Sequence, residues 1–277
     1  MLKDIILHLE HDPAHDAARN YAISLAALSE AHLMGIAFGY YASLPTFAFP
    51  TFPADVLADV LARDEAAARN AIDLFEAAAA RNGISAASRL ILQGEAASAT
   101  TFPVMARRFD LSIIMQSDPD GGGSNDLLIE GALFESGRPM IVVPYIQRGP
   151  LSLDRITCCW DGSQTAARAI NDALPLLKRA KVAELLIIEN EKTTYERKIV
   201  GADFAAHLAR HGVNVEVKIL PAADIDVGNA ILSHVADHSS QMIVMGGYGH
   251  SRFREFVLGG TTREILSTMT VPVFMSH

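Results

Sequence analysis

Gly246, Gly247 and Gly249 follow directly on the apolar run Met242-Ile243-Val244-Met245, and a second pair, Gly259-Gly260, stands immediately before Thr261. Glycines at a strand end let the backbone turn sharply and let a ligand approach with no side chain in the way. Glycines at a helix start leave main-chain N–H groups open to an anion, and the helix dipole adds to the attraction. The chemistry this spacing suits is the cradling of a phosphate chain by amides on two sides of one crevice. Taken singly, the glycines would only make two turns and a tight helix start. Thr261 with Glu264 reads as a capping box that opens a helix over Arg263 to Met269. The chain holds neither a G-x-x-x-x-G-K-[ST] loop nor a G-x-G-x-x-G fingerprint.

Asp161 offers a different kind of group. It ends the run Cys159-Trp160-Asp161-Gly162-Ser163, so a carboxylate stands at a strand tip, able to accept hydrogen bonds from a ribose hydroxyl or an adenine amine. Asp161 or Ser163 could equally cap the next helix. The pairs His11/His15, His207/His211 and His234/His238 have the spacing that puts two imidazoles on one helix face, but each lacks a third ligand for zinc and reads as solvated helix surface. Arg252, beside His250 and Ser251 in the glycine loop, either neutralises phosphate or faces solvent. No nucleophile and base pair stands out, so no catalytic residue is assigned.

These residues need strands and helices to hold them. Ile5 to Leu9 reads as a strand, Ala14 to Glu30 as a helix, Leu33 to Phe38 as a strand and Ala54 to Arg81 as a long Ala-rich helix. A strand near Ser88 to Leu92, a helix near Ala96 to Arg107, and strands Leu111 to Met115 and Met140 to Val143 follow. The order then restarts: strand Ile156 to Trp160, helix Ala166 to Arg179, strand Glu184 to Ile188, helix Thr194 to His211, strand Val215 to Leu220, helix Val227 to His238, strand Met242 to Met245 and strand Val271 to Met275. Strand alternating with helix predicts a parallel sheet covered on both faces. Local echoes mark a repeat: Lys3-Asp-Ile-Ile-Leu beside Asp154-Arg-Ile-Thr-Cys, Ser112-Ile-Ile-Met beside Met242-Ile-Val-Met, and Arg138-Pro-Met-Ile-Val beside Val271-Pro-Val-Phe-Met. Pro144 to Pro150 reads as the linker, dividing the chain into domains 1–145 and 151–277.

The spacing Gly246, two residues, Gly249, nine residues, Gly259 resembles the nucleotide-binding signature of the universal stress protein family, and the repeat makes the whole chain similar to a tandem member. In that family a Ser or Thr usually follows the third glycine. Here Gly260 intervenes before Thr261, which displaces one hydroxyl contact to phosphate and leaves the Gly260 amide as a donor. The resemblance implies two α/β domains, each an open, mostly parallel five-stranded sheet with helices on both faces, Rossmann-like and akin to the adenine nucleotide alpha-hydrolases. It also implies an adenine nucleotide (ATP, ADP or AMP, with or without Mg) in the second copy. The base would lie near Cys159 and Ile187 or Ile188, the nucleoside would meet Asp161, and the phosphates would lie near Met245, Gly246, Gly249, His250, Gly259, Gly260 and Thr261. Family dimers pair through their last strands, so the two copies are expected to form an internal pseudo-dimer, which two chains could double.

In the first copy, Met115 is followed by Gln-Ser-Asp-Pro-Asp-Gly-Gly-Gly-Ser-Asn-Asp with no second glycine pair at the matching spacing. Asp118, Asp120 and Asp126 would repel a triphosphate, so this site reads as lost; a metal-bridged phosphate is the weaker reading. Glu10, or a residue near it, stands where the second copy has Asp161. The segment Tyr40 to Pro53 carries prolines that forbid regular structure and aromatics that want burial. It reads as a lid on its own or the partner domain.

With 277 residues, 50% of them hydrophobic, the chain can build a core in each of two domains of roughly 140 residues. A net charge of -9 disfavours general nucleic-acid binding. Met1-Leu2-Lys3-Asp4 leads straight into a strand with no signal-peptide pattern, no run reaches membrane-spanning length, and adjacent Cys158 and Cys159 point to opposite faces of a strand. The functional expectation is a cytoplasmic stress-response regulator that binds ATP in its second domain, with slow hydrolysis at most. The alternatives are a binding module for an apolar small molecule or lipid in the first domain, a nucleotide-independent interaction protein, and a true nucleotide-dependent enzyme.

Overall fold

The computed structural model describes residues 1–12, 16–41, 54–117, 125–189, 195–221, 226–247 and 260–277. The chain divides into two compact units, one of residues 1–138 with 148–151, the other of 139–147 with 152–277.

The first unit contains β1 (Asp4–His8), α1 (Ala17–Ser29), β2 (His32–Tyr41), α2 (Ala54–Arg81), β3 (Ala86–Gly94), α3 (Glu95–Ala106), β4 (Leu111–Met115) and α4 (Asp126–Glu135). Its strands lie in the order β3-β2-β1-β4, all parallel. Strands buried on both faces need continuous apolar runs, and β4 is buried at every residue. Helix α1 starts later than the periodicity suggests, at Ala17, because the Asp16 carboxylate accepts the Arg19 amide and fixes the start there.

Sequence reading missed α4. Its segment, DLLIEGALFE, is apolar around most of its girth and carries a mid-helix glycine, so it shows no amphipathic stripe. Packing explains both features: a Cβ on Gly131 would collide with the Ala99 carbonyl of α3.

The second unit contains β5 (Met140–Val143), β6 (Arg155–Cys159), α5 (Gln164–Asp172), α6 (Leu174–Leu177), β7 (Val182–Glu189), α7 (Tyr195–Arg210), β8 (Val215–Pro221), α8 (Val227–Asp237), β9 (Met242–Gly246), α9 (Gly260–Thr268) and β10 (Val273–Ser276). The strand order is β5-β10-β9-β6-β7-β8. β10 to β8 run parallel, and β5 joins antiparallel, with Phe274 opposite Ile141. The last strand of the first copy thus covers the edge of the last strand of the second.

Two sequence expectations need correction here. The single helix expected over 166–179 is two, because Pro175 lacks the N–H to continue α5 and instead sits in the first turn of α6. The helix expected from Arg263 begins at Gly260, which puts Thr261 and Glu264 inside it, so they form no capping box.

Strand register also corrects one echo. Ile5 and Leu7 sit opposite Leu111 and Ile113, while Ile156 and Cys158 sit opposite Met242 and Val244. Leu111 therefore matches Met242, one residue earlier than the alignment on Ser112, and Met115 matches Gly246.

Candidate functional site

In each unit the chain leaves its first strand toward one side of the sheet and returns to place a later strand on the other side. The order therefore reverses between β1 and β4 and between β6 and β9. Ligands of open parallel sheets bind beyond the carboxyl ends of the strands at such a point.

At the second crevice, β6 ends in Cys159 and the main chain turns through Trp160, Asp161 and Gly162, the last with φ +79. Asp161 is exposed at the tip and accepts the Ser163 amide at 2.9 Å. Ser163 is the N-cap of α5 and accepts the Ala166 amide at 3.1 Å. Across the crevice, β9 ends at Gly246, where an added Cβ would stand 2.5 Å from the Ala166 nitrogen and 2.6 Å from the Thr165 Oγ1. Gly246 is thus required by the close approach of the α5 first turn, in addition to any ligand. The Gly247 amide donates to the Ser276 carbonyl at 2.9 Å and its carbonyl faces His277 Nδ1 at 3.0 Å.

Gly260 opens α9, exposed, with open space where a side chain would be, and Thr261 follows half-buried. Met245 and Ile187 are buried and Ile188 is half-buried. Cys159 is a free thiol that burial pushes up to about 12, with the Asp161 and Glu184 charges adding. Ile187 also packs under α7, since a Cβ on Gly201 would meet its Cδ1 at 2.5 Å. Gly249, His250, Arg252 and Gly259 lie outside the described residues, as do Gly121 to Gly123, Asp118, Asp120, His15 and the segment 42–53.

Glu264 faces away from the α9 start and reaches α8. It accepts from the Asn229 side chain and shares a hydrogen bond with the Asp226 carboxyl. That bond raises the Glu264 carboxyl and lowers that of Asp226.

The first crevice is built differently. Register aligns Glu10 with Asp161, but Glu10 is drawn inward. Its Oε1 lies 3.3 Å from His8 Nδ1 and accepts from the Asn125 side-chain amide at 2.8 Å. Burial works to raise the Glu10 carboxyl, and hydrogen bonds and charge from His8, Asn125 and His11 outweigh it, holding the group below the usual range.

Asn125 also donates to the Met115 carbonyl at 3.0 Å and is the N-cap residue of α4. It occupies the helix start that corresponds to the one before Gly260. Asp16, buried, lies beside this group, and burial pushes its carboxyl up to about 7 against the Arg19 amide and guanidinium. Side chains of the first unit therefore fill the place where the second presents glycine. The sequence signal was the missing second glycine pair; that Asn125 and Glu10 meet across 115 residues was not visible in it.

Of the histidine pairs, His234 is not surface. It is buried and its Nε2 meets Glu184 Oε1 at 2.5 Å, with Arg155 on the other carboxylate oxygen at 3.3 Å. His207 bonds Asn171 at 3.2 Å and lies edge-on to His211. Among the described residues no group of three His, Cys, Asp or Glu side chains stands close enough to hold a metal ion.

Residues 152–277 match the model of the universal stress protein family. A universal stress protein of Synechocystis sp. is 33% identical over 66 residues, 24% of this chain and 22% of that protein. Residues 152–277 belong to the universal stress protein family. The chain as a whole is similar in fold to a universal stress protein from Archaeoglobus fulgidus, with TM-score 0.73 at 15% identity over 99% of this chain and 97% of that one. It is similar also to a functionally unknown Pseudomonas aeruginosa protein, with TM-score 0.60 at 16% identity over 99% and 92% of the two chains. The two-unit layout fits a tandem arrangement of this fold. The Synechocystis match spans about a fifth of that relative's length. No helix among the described residues is long and apolar enough to cross a membrane.

Proposed function

We propose that the second unit binds one adenine nucleotide per chain and that the chain serves as a cytoplasmic stress-response regulator, with slow hydrolysis at most. The observation that carries this reading is the strand-order reversal at β6 and β9, whose carboxyl ends present Asp161 on one side and Gly246-Gly247 on the other. The nucleoside would sit by Asp161, Cys159 and Ile187, and the phosphates at Gly246 to Gly249 and Gly259 to Thr261; Mg, where bound, would supply countercharge to the phosphates.

Asp161 engages the Ser163 amide through Oδ1, which orients the carboxylate before a ligand arrives. The α5 N-terminus packed on Gly246 adds the positive end of a helix dipole near the phosphates. Among the described residues of the first unit, Glu10 and Asn125 fill the corresponding place. The pairing of β5 with β10 supports joining of the two copies through their last strands, and the free thiols Cys158 and Cys159 suit a reducing compartment.

Calorimetry with ATP on the full chain tests the reading. A stoichiometry near one is expected, with binding abolished by Gly259→Val, whose branched side chain would occupy phosphate space. A stoichiometry near two, or unchanged affinity in the variant, would overturn it.

A further inference from the structure

Strand β8 ends the sheet order of the second unit, and its sequence Val215-Glu-Val-Lys-Ile-Leu-Pro221 is exposed through the middle, with Val217 at 43% and Ile219 at 40%. Open edge strands with apolar side chains invite pairing with another chain. A lysine on such an edge usually guards against it, and Lys218 would be read that way if it stood alone.

The backbone and the charges together say otherwise. The Asn214 carbonyl accepts the Ala183 amide at 2.8 Å and so points at β7. In a parallel ladder a residue's N–H and C=O point the same way and successive residues alternate. Glu216 and Lys218 therefore bond to β7, and the N–H and C=O of Val215, Val217 and Ile219 point outward. Pro221, with no N–H, closes the open edge.

An antiparallel partner must match these outward groups, and a second β8 does so in three centred registers. Centred on Glu216 it sets Glu216 against Glu216, and centred on Lys218 it sets Lys218 against Lys218. Centred on Val217 it sets Glu216 of each copy opposite Lys218 of the other, in the non-hydrogen-bonded positions where side chains approach closest. The same register stacks Val217 on Val217 and Val215 on Ile219, with their backbone groups exchanging hydrogen bonds. Glu216 keeps a side chain 57% exposed beside Arg155 at 3.5 Å. Among the described residues Lys218 has no ion-pair or hydrogen-bond partner.

We propose that two copies of this chain associate through β8, antiparallel about a two-fold axis at Val217, with reciprocal Glu216–Lys218 ion pairs selecting the register. Sedimentation velocity on the full chain across a concentration series should show a monomer–dimer equilibrium. Glu216→Lys and Lys218→Glu each convert both cross-strand ion pairs to like-charge pairs, so each variant alone should dimerise about tenfold more weakly or worse. Mixed in equal amounts they should recover the dimer, because every position then faces an opposite charge; the swapped double variant should recover it too. Recovery on mixing also shows that both variants are folded. A parent that stays monomeric at every concentration, a dimer indifferent to the single changes, or no recovery on mixing would each overturn the proposal. Reciprocal labelling of the two variants with distinct fluorophores identifies the recovered species as the mixed dimer.

Discussion

The two crevices occupy equivalent places in equivalent topologies and are furnished in opposite ways. At the carboxyl ends of β1 and β4, Glu10, His8, Asn125 and Met115 close on one another, and the helix that follows is capped by a residue already engaged with Glu10. At the ends of β6 and β9 the tip residue Asp161 stays exposed, the strand ends in glycine, and the helix begins at an exposed glycine. One copy has used its switch point for internal polar contacts that carry titratable groups. The other has kept main chain at the surface, which is what an anionic ligand needs. Among the described residues the same topology thus holds one crevice filled by side chains and one that presents glycine, and the difference comes down to a handful of residues.

The comparison breaks most readily if the second unit lacks the strand it takes from the first copy. Residues 151–277 expressed alone lose β5, leaving the β10 edge open, and the fragment is expected to dimerise or aggregate. A stable, dilute monomer of that fragment in ultracentrifugation would contradict this.

Next in size is Gly246→Val. The matching position in the first unit holds the buried Met115, but in the second the α5 backbone occupies the space. We expect a loss of about 3 kcal/mol or more in urea denaturation, since backbone must move to relieve the overlap. A neutral result would mean that α5 stands farther off.

Asp16→Asn sharpens the other side. A carboxyl raised from 3.8 to about 7 in the folded chain binds more protons folded than unfolded between those values. Its contribution to stability is full below the unfolded pKa and is lost as pH rises through about 7. Asparagine keeps the N-cap and cannot ionise. The variant is expected to gain about 2–4 kcal/mol over the parent at pH 8, with the stability slope between pH 4 and 7 flattened, as read by denaturation at stepped pH. Glu10, held low, has the opposite sign: its contribution is present above the unfolded value of 4.5 and is lost as pH falls through its lower folded value.

The smallest effect is expected from Asp161→Ala, a loss of about 1–3 kcal/mol in nucleotide affinity. Because Asp161 also holds the Ser163 amide, a thermal melt should accompany the calorimetry. A drop in affinity with a nearly unchanged melt assigns the carboxylate to the ligand, and unchanged affinity removes it from the site.

Strand and helix alternation, the two-copy arrangement and the asymmetry between the copies were legible in the sequence, because apolar strand runs and glycine spacings are local signals. The helix α4 was not, because exposed Leu127 and Phe134 blur its buried stripe and its glycine answers to Ala99 across a helix interface. Nor was the inward role of Glu10, which depends on Asn125, or that of His234, which depends on Glu184 fifty residues away. The strand echo placed on Ser112 was off by one residue, since β4 and β9 are both apolar runs and only the register against β1 and β6 distinguishes the alignments. The sequence by itself determined the α/β class and the glycine spacing that sets the second copy apart. Only the tertiary structure decided that β5 pairs within the second unit, that Gly246 is obligatory for packing, and that Glu10 meets Asn125 in the first crevice, because each rests on contacts between residues distant along the chain.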